Sequence, residues 1–275
     1  MKKRCLCLVL CLVILFISVP ARVSARDYSR YSNTPVAFGL NLRTDHKKPG
    51  CDKPRGVKDL SSYQTFYCNT KAYKKKKKVI YLTFDCGYEN GNTGKILNTL
   101  KKEKVKAIFF VTEPYIRQNK KLVKRMKKEG HLVGNHTCTH PRMPALSVSR
   151  MKKEVFQCEK TMKKKTGYTM DPYMRPPEGV YRVRMMKVMQ DIGYSTMLWS
   201  LAYYDYDEHD QPSVSFVLRK FKKHHFCGMM PLLHVISSAD RKALPKIISS
   251  MKKKGYCFGT VDEFAAPAKK EKSKR

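Results

Sequence analysis

Apolar and polar positions change period repeatedly along this chain, and from residue 79 onward they do so in a regular order. Short apolar and β-branched runs at 79–84, 107–111, 132–134, 173–174, 195–200, 229–233 and 257–259 predict strands. The stretches between them carry apolar residues three and four apart, which predicts helices. One covers 93–103, with Ile96, Leu97 and Leu100 on one face, and another 120–129, stopped by Gly130. A long helix from Ser147 to Gly167 buries Met151, Val155, Cys158 and Met162. Three more are expected, around 182–192, from Ser213 with Val214, Val217, Leu218 and Phe221 together, and over 240–254.

About seven alternations of strand and helix favour a parallel sheet with right-handed crossovers. An open doubly wound sheet gathers its ligands at one switch point. Here polar residues stand at the exits of at least five strands, and only a closed sheet lets all five converge. The expectation is an α/β fold, an irregular, distorted TIM-like (β/α)7 barrel with an N-terminal arm. The arm, 26–78, lacks sustained periodicity but holds Tyr28, Tyr31, Phe38, Leu40, Tyr63, Phe66 and Tyr67, so it is expected to pack on the barrel at 79–264. A basic tail occupies 265–275.

Residues 1–25 are set apart as a secretory signal. Lys2, Lys3 and Arg4 precede an apolar stretch at 5–19 and small residues at 23–25. As a helix that stretch reaches roughly 22 Å, against about 30 Å of bilayer hydrocarbon. Passage through the membrane is therefore expected to be transient. Leu10 before Cys11 is too bulky for a lipoprotein signal. Of ten cysteines, Cys5, Cys7 and Cys11 leave with the signal, and seven remain. An odd number in an exported protein leaves at least one thiol free or metal-bound. Cys51 and Cys68 could close a loop.

The net charge of +35 raises nucleic-acid binding as a reading. The lysines, however, recur on the polar faces of nearly every expected helix, and an exported protein meets little nucleic acid. Two readings remain: ordinary solvated faces, or retention on an anionic polymer such as a bacterial wall.

Candidate chemistry sits at the strand exits. Asp85 and Cys86 end one apolar run, His136 and His140 follow another, and Arg175, Asp205 and His234 follow three more. Amide hydrolysis needs an activated water, a base and an acid for the leaving nitrogen. A bound metal lowers the pKa of its water from 15.7 to about 7. The i, i+4 histidines could meet one cation if their segment is helical. Singly, each residue also has an ordinary structural explanation: a turn aspartate before Gly87, or two surface histidines on one helix face.

Together, the segments resemble the five motifs of the polysaccharide deacetylases, carbohydrate esterase family 4, over about 79–264. TFDCG at 83–87 resembles the first motif, which implies Asp85 as general base. HTCTH at 136–140 resembles the second, which implies His136 and His140 as ligands of a divalent metal, zinc being expected. RPPEG at 175–179 resembles the third, whose arginine, here Arg175, pairs with the base while a backbone N–H after the prolines helps bind the oxyanion. LWSLAYYD at 198–205 resembles the fourth, with Asp205 tuning the acid, and LLH at 232–234 the fifth, with His234 as that acid. The same resemblance suggests Tyr88, Glu178 and Trp199 as oxyanion and substrate contacts.

Two positions depart from the family. Cys86 stands where a second aspartate completes the metal site, and Glu178 where an aromatic follows the prolines. TFD-x-GYENG, with PVAFGLNLRTDHKKP and TFYCNTK before it, resembles the muramic-acid deacetylases of endospore formers, which make the cortex δ-lactam. Three readings of Cys86 stay open: a thiolate in a Cys-His-His zinc site, a small buried residue beside a two-histidine site, or part of a site that needs little metal. Cys138, about 200° round a helix from His136, is expected to face the core. The resemblance implies a monomer acting on peptidoglycan strands after an amidase has removed the peptide, in the cell wall or the spore's intermembrane space. A basic rim is expected around that anionic glycan. Rival readings are an N-acetylglucosamine deacetylase and an inactive glycan-binding protein.

Overall fold

The computed structural model describes residues 26–265, so the segment expected to be a secretory signal and all but the first residue of the basic tail lie outside the described residues. Seven parallel strands form the main sheet, in the order Leu232–His234, Thr83–Cys86, Ile108–Val111, Leu132–Asn135, Tyr173–Met174, Ser195–Met197, Thr65–Phe66. The sheet curls. Beyond Met197 the chain runs on to meet the segment leading into Leu232–His234, through a parallel bridge between Leu201 and Pro231. Ser200 N–H donates to Met230 O at 2.7 Å and Leu232 N–H to Leu201 O at 2.9 Å. The result is an irregular (β/α)7 barrel.

Strand alternation divides the core in two. Phe84, Cys86, Phe109, Val111 and Val133 point outward to a cluster with Ile96, Leu97, Leu100, Val123 and Met126 from the surrounding helices. Ile108, Phe110, Tyr173 and Met197 belong to a second cluster with Tyr81 and Met230 inside the curl. Strands buried on both faces read as continuous apolar runs, which is why they were visible in the sequence.

The helices start and stop where the sequence signals lie. The Val148–Thr166 helix has Ser147 as N-cap, accepting from Arg150 N, and ends at Gly167 with φ 82°. Ser213 and Ser237 cap Val214–His224 and Ser238–Lys253 in the same way. The helix Glu113–Gln118 was not anticipated, although Thr112 caps it and Pro114 sits in its first turn. Among the described residues no helix is long and apolar enough to cross a membrane.

Two strand expectations need correction. The run at 79–84 is interrupted: Val79–Ile80 and Thr83–Cys86 are separate strands. Cys257–Phe258 is a strand, but it pairs with Val79–Ile80 outside the main sheet. The seventh sheet strand is Thr65–Phe66, from the segment read as an arm, which pairs with Thr196 and Met197. A two-residue strand after a left-handed Gln64 (φ 50°) has no periodicity to detect. The same segment also pairs Val36–Ala37 with Val180–Tyr181 and sets Phe38 edge-on against Trp199, with ring centroids 5.4 Å apart.

Gly134 marks the tightest point of the sheet beneath the site. A Cβ there would meet the Phe110 ring at 2.7 Å and Tyr173 O at 2.8 Å. Gly134→Ala is therefore expected to cost about 1–3 kcal/mol through overpacking. Denaturant unfolding with an unchanged m-value checks this; stability equal to wild type would contradict the close packing.

Candidate active site

Asp85 and His234 are register partners on adjacent strands, so both leave the sheet at the same end. Asp85 is 6% exposed. Its Oδ1 accepts a 2.7 Å hydrogen bond from Arg175 Nη1, and its Oδ2 lies 3.6 Å from His136 Nε2. Arg175 is completely buried, yet most of its donors are placed: Nε on Met197 O, Nη2 on Thr83 Oγ1 and Leu198 O. Its guanidinium lies 4.4 Å from the centroid of Phe110 and 5.8 Å from that of Trp199. Burial alone would raise the Asp85 carboxyl. Arg175, with His136 and His234, more than offsets this and holds it below the usual carboxylate value.

His234 ends its strand half-buried. Its Nδ1 donates to Asp205 Oδ1 at 2.7 Å and its backbone N–H to Asp205 Oδ2 at 2.9 Å. Asp205 is fully buried. Burial disfavours the charged imidazole, but Asp205, helped by Asp85, wins and raises His234 above its ordinary value. With Nδ1 committed to Asp205, Nε2 is free to carry a second proton toward the cavity. The two groups are thus pushed in opposite directions, one toward its basic and one toward its acidic form.

His136 and His140 come together, their ring centroids 4.9 Å apart, but not on a helix. Residues 136–140 form a turn in which Thr137 (φ 71°) and His140 (φ 56°) are left-handed. Glu154 holds that turn, accepting from Cys138 N, Thr139 N and Thr139 Oγ1 at 2.8–3.0 Å. Without a helix the geometry assumed for Cys138 fails: it is half-buried and lines the cavity instead of the core. His136 Nδ1 is fixed against Arg175 O at 2.9 Å, which directs Nε2 into the site. Burial pushes His136 down to about 4, so the ring is neutral at pH 7.

Cys86 does not join these residues. It follows Asp85 in an extended strand, so its side chain takes the opposite face, fully buried in the outer apolar cluster. Burial, with Asp85 and Glu89, pushes its thiol well up. The thiolate reading is therefore corrected: Cys86 is a core residue. Two imidazoles with fixed or exposed nitrogens beside a carboxylate fit a divalent cation with open positions. Among the described residues no group of three or more His, Cys, Asp or Glu is arranged to hold a metal ion, so the two imidazoles are the protein's candidate ligands.

Asp85, His136, Cys138, His140 and His234 open into one cavity of about 960 Å³, lined also by Tyr88, Glu178, Trp199, Tyr203 and Tyr206. Tyr88 is 79% exposed, on the GYENG loop. That loop is tied to the His234 side: Asn90 and Asn92 both donate to Ile236 O, while Glu89 accepts from Gly91 N and Tyr115 OH. Glu178 adopts φ 58°, and a Cβ on the next residue, Gly179, would lie 2.4 Å from Trp199, so this turn admits only glycine there. Among the described residues no lysine or arginine lines the cavity wall. Tyr203, Tyr206 and Glu154 were not singled out from the sequence; the tyrosines lay within the fourth motif and just after it, whereas nothing near Glu154 marks it.

Because Cys86 faces the core, Cys86→Ala is expected to lower stability by about 1–2 kcal/mol while leaving zinc affinity unchanged. Glu154→Ala, which frees the turn carrying His140, should weaken zinc binding about tenfold or more. Calorimetric titration with zinc checks both; a Cys86→Ala protein that loses zinc would restore the thiolate reading.

The family profile for polysaccharide deacetylase matches residues 72–197. A 30.6 kDa protein of Geobacillus stearothermophilus is 38% identical over 253 residues, 92% of each chain. The peptidoglycan-N-acetylmuramic acid deacetylase PdaA of Bacillus subtilis is 33% identical over 258 residues, 94% of each chain. The solved structure of that PdaA, a family 4 carbohydrate esterase, superposes with a TM-score of 0.78 at 34% identity, covering 85% of this chain and 97% of its own. The chain belongs to the polysaccharide deacetylase family, carbohydrate esterase family 4, and is a hydrolase of the deacetylase class.

Proposed function

We propose that this enzyme is an exported peptidoglycan N-acetylmuramic acid deacetylase that removes the 2-acetyl group and so permits δ-lactam formation in the spore cortex. The observation that carries the hydrolytic part is the register-matched pair Asp85 and His234, driven toward opposite protonation states in one cavity. The muramic preference is supported by likeness to PdaA over 94% of both chains and by the GYENG loop.

Asp85, kept ionised by Arg175, takes the proton from the attacking water. The Glu178 N–H, just after Pro177, binds the developing oxyanion, since the N–H groups of Gly179 and Val180 already donate to Pro176 O and Pro177 O. His234, protonated and oriented by Asp205, delivers its Nε2 proton to the departing nitrogen. A divalent metal held by His136 and His140 would polarise the acetyl carbonyl and acidify the water. Members of this family are generally metal-dependent, and with Cys86 turned away this chain offers two imidazoles rather than a complete protein triad. After deacetylation the freed amine lies next to the lactyl carboxylate, and loss of water between them closes a six-membered lactam. That substrate arises once an amidase has stripped the peptide, and the enzyme works as a monomer outside the cell.

A second reading is an N-acetylglucosamine deacetylase. It is favoured by the cavity itself, where no lysine or arginine awaits a lactyl carboxylate and Glu178 would repel one. Mass spectrometry of glycan strands, with and without peptides, after incubation with the protein decides between them. The muramic reading expects loss of acetyl from muramic residues of peptide-free strands, with lactam as a later product. Deacetylated glucosamine alone would establish the other reading.

Two kinetic outcomes follow. Asp85→Asn and His234→Ala should each lower turnover by roughly 10² or more with folding retained. The wild-type kcat/KM should rise with pH as Asp85 ionises, below the ordinary 3.8, and fall as His234 loses its proton, above the ordinary 6.5. A pH profile whose alkaline limb lies below 6.5 would remove His234 as the acid.

A further inference from the structure

Behind the Asp205–His234 pair lies a second buried carboxyl group that the proposed chemistry does not use. Asp240, in the first turn of the Ser238–Lys253 helix, is 1% exposed. Its Oδ1 accepts a 2.7 Å hydrogen bond from Tyr203 OH, and its backbone N–H donates to Ser237 Oγ. Its Oδ2 is buried and has no donor. Asp205, itself completely buried, is within hydrogen-bonding reach of it.

An acidic residue in a first helical turn ordinarily serves the helix dipole as an anion accepting from free N–H groups. Asp240 accepts from a tyrosine instead, and its second oxygen accepts from nothing. Two adjacent carboxylates sealed from water cannot both be ionised. An orphaned buried acceptor is also costly. One proton on Oδ2 removes both difficulties, because it turns the orphan into a donor for Asp205. The proton belongs on Asp240 and not on Asp205, since Asp205 already accepts two N–H bonds from His234. Burial and the charge of Asp205 both push the Asp240 carboxyl well up, in the same sense.

We propose that Asp240 is a positioning residue for the His234–Asp205 pair: a neutral carboxylic acid that donates a hydrogen bond to the Asp205 carboxylate. That bond draws charge away from the oxygens facing His234. Asp205 then orients the imidazole and stabilises its cation without holding the proton too firmly to release. Tyr203, whose ring lines the cavity, fixes the other oxygen of Asp240 and so links the cavity wall to this third group.

The charged and titratable groups around His234 are Asp205, Asp85 and Arg175, with the Tyr206 ring at 5.6 Å; those around Asp240 are Asp205 and Tyr203. The test titrates the His234 ring by NMR in the full-length protein, and so does not depend on His234 being the catalytic acid. Asp240→Leu keeps the branched shape but removes the donor, and should raise the His234 pKa by about half a unit or more. Asp240→Asn keeps a donor and should leave it close to wild type. A fall in either variant would mean that Asp240 is ionised, and no change in the leucine variant would make it a spectator; either overturns the proposal. If the leucine variant fails to fold, the infrared difference spectrum between wild type and Asp240→Asn decides, a protonated carboxyl C=O band supporting the proposal and carboxylate bands alone refuting it. Should the NMR shift occur while the alkaline limb of kcat/KM stays put, the positioning role stands and the assignment of His234 as the acid falls.

Discussion

The buried pair between Arg175 and Asp85 is the contact on which the rest of the site depends. Taking two charges out of water costs several kcal/mol per ion, and only good geometry with further hydrogen bonds offsets it. Arg175 meets that condition by linking three strands: Thr83 and Asp85 on one, the Tyr173–Met174 strand that it follows, and the carbonyls of Met197 and Leu198 at the end of a third. Its own carbonyl then fixes the His136 ring. One side chain thereby fixes the Asp85 carboxylate and, through its own carbonyl, the His136 ring. Losing it would strand an unpaired carboxylate in the core, so a large-to-small change here harms folding and chemistry together.

The second constraint is the alternation of the Thr83–Cys86 strand. Thr83 and Asp85 face inward to Arg175, whereas Phe84 and Cys86 face outward into the helix layer. The position that in most of the family supplies another metal-binding carboxylate is here a buried thiol. Asp85 pairs with Arg175 on one side of the cavity and His234 with Asp205 on the other, and neither pairing involves Cys86. Any metal chemistry rests on the two histidines, and on Glu154, which shapes the turn between them.

Much of this was legible in the sequence, for identifiable reasons. Long amphipathic helices with serine caps and apolar runs in doubly buried strands carry strong periodic signals, and both were placed to within a few residues. Thr65–Phe66 carries no such signal, because two residues have no period and their pairing is fixed by a distant strand. The i, i+4 spacing of His136 and His140 suggested a helix; a turn with two left-handed residues gives the same proximity, and sequence spacing cannot separate the two. The cavity also departs from the bulk composition: in a chain of net charge +35, no lysine or arginine among the described residues stands on its wall. Composition describes the solvated surface, and the site is built from the minority that is buried.

In the proposed mechanism Arg175 holds Asp85 ionised as the base. The acid limb of kcat/KM, compared between wild type and Arg175→Lys in protein shown to be folded, tests it most directly. A lysine keeps the charge but cannot reproduce the forked contacts to Thr83, Asp85 and two carbonyls. In that variant the acid limb is expected to move up by about one pH unit or more, with turnover reduced on the plateau. An acid limb unchanged in the folded variant would contradict it, and would place the base elsewhere in the cavity.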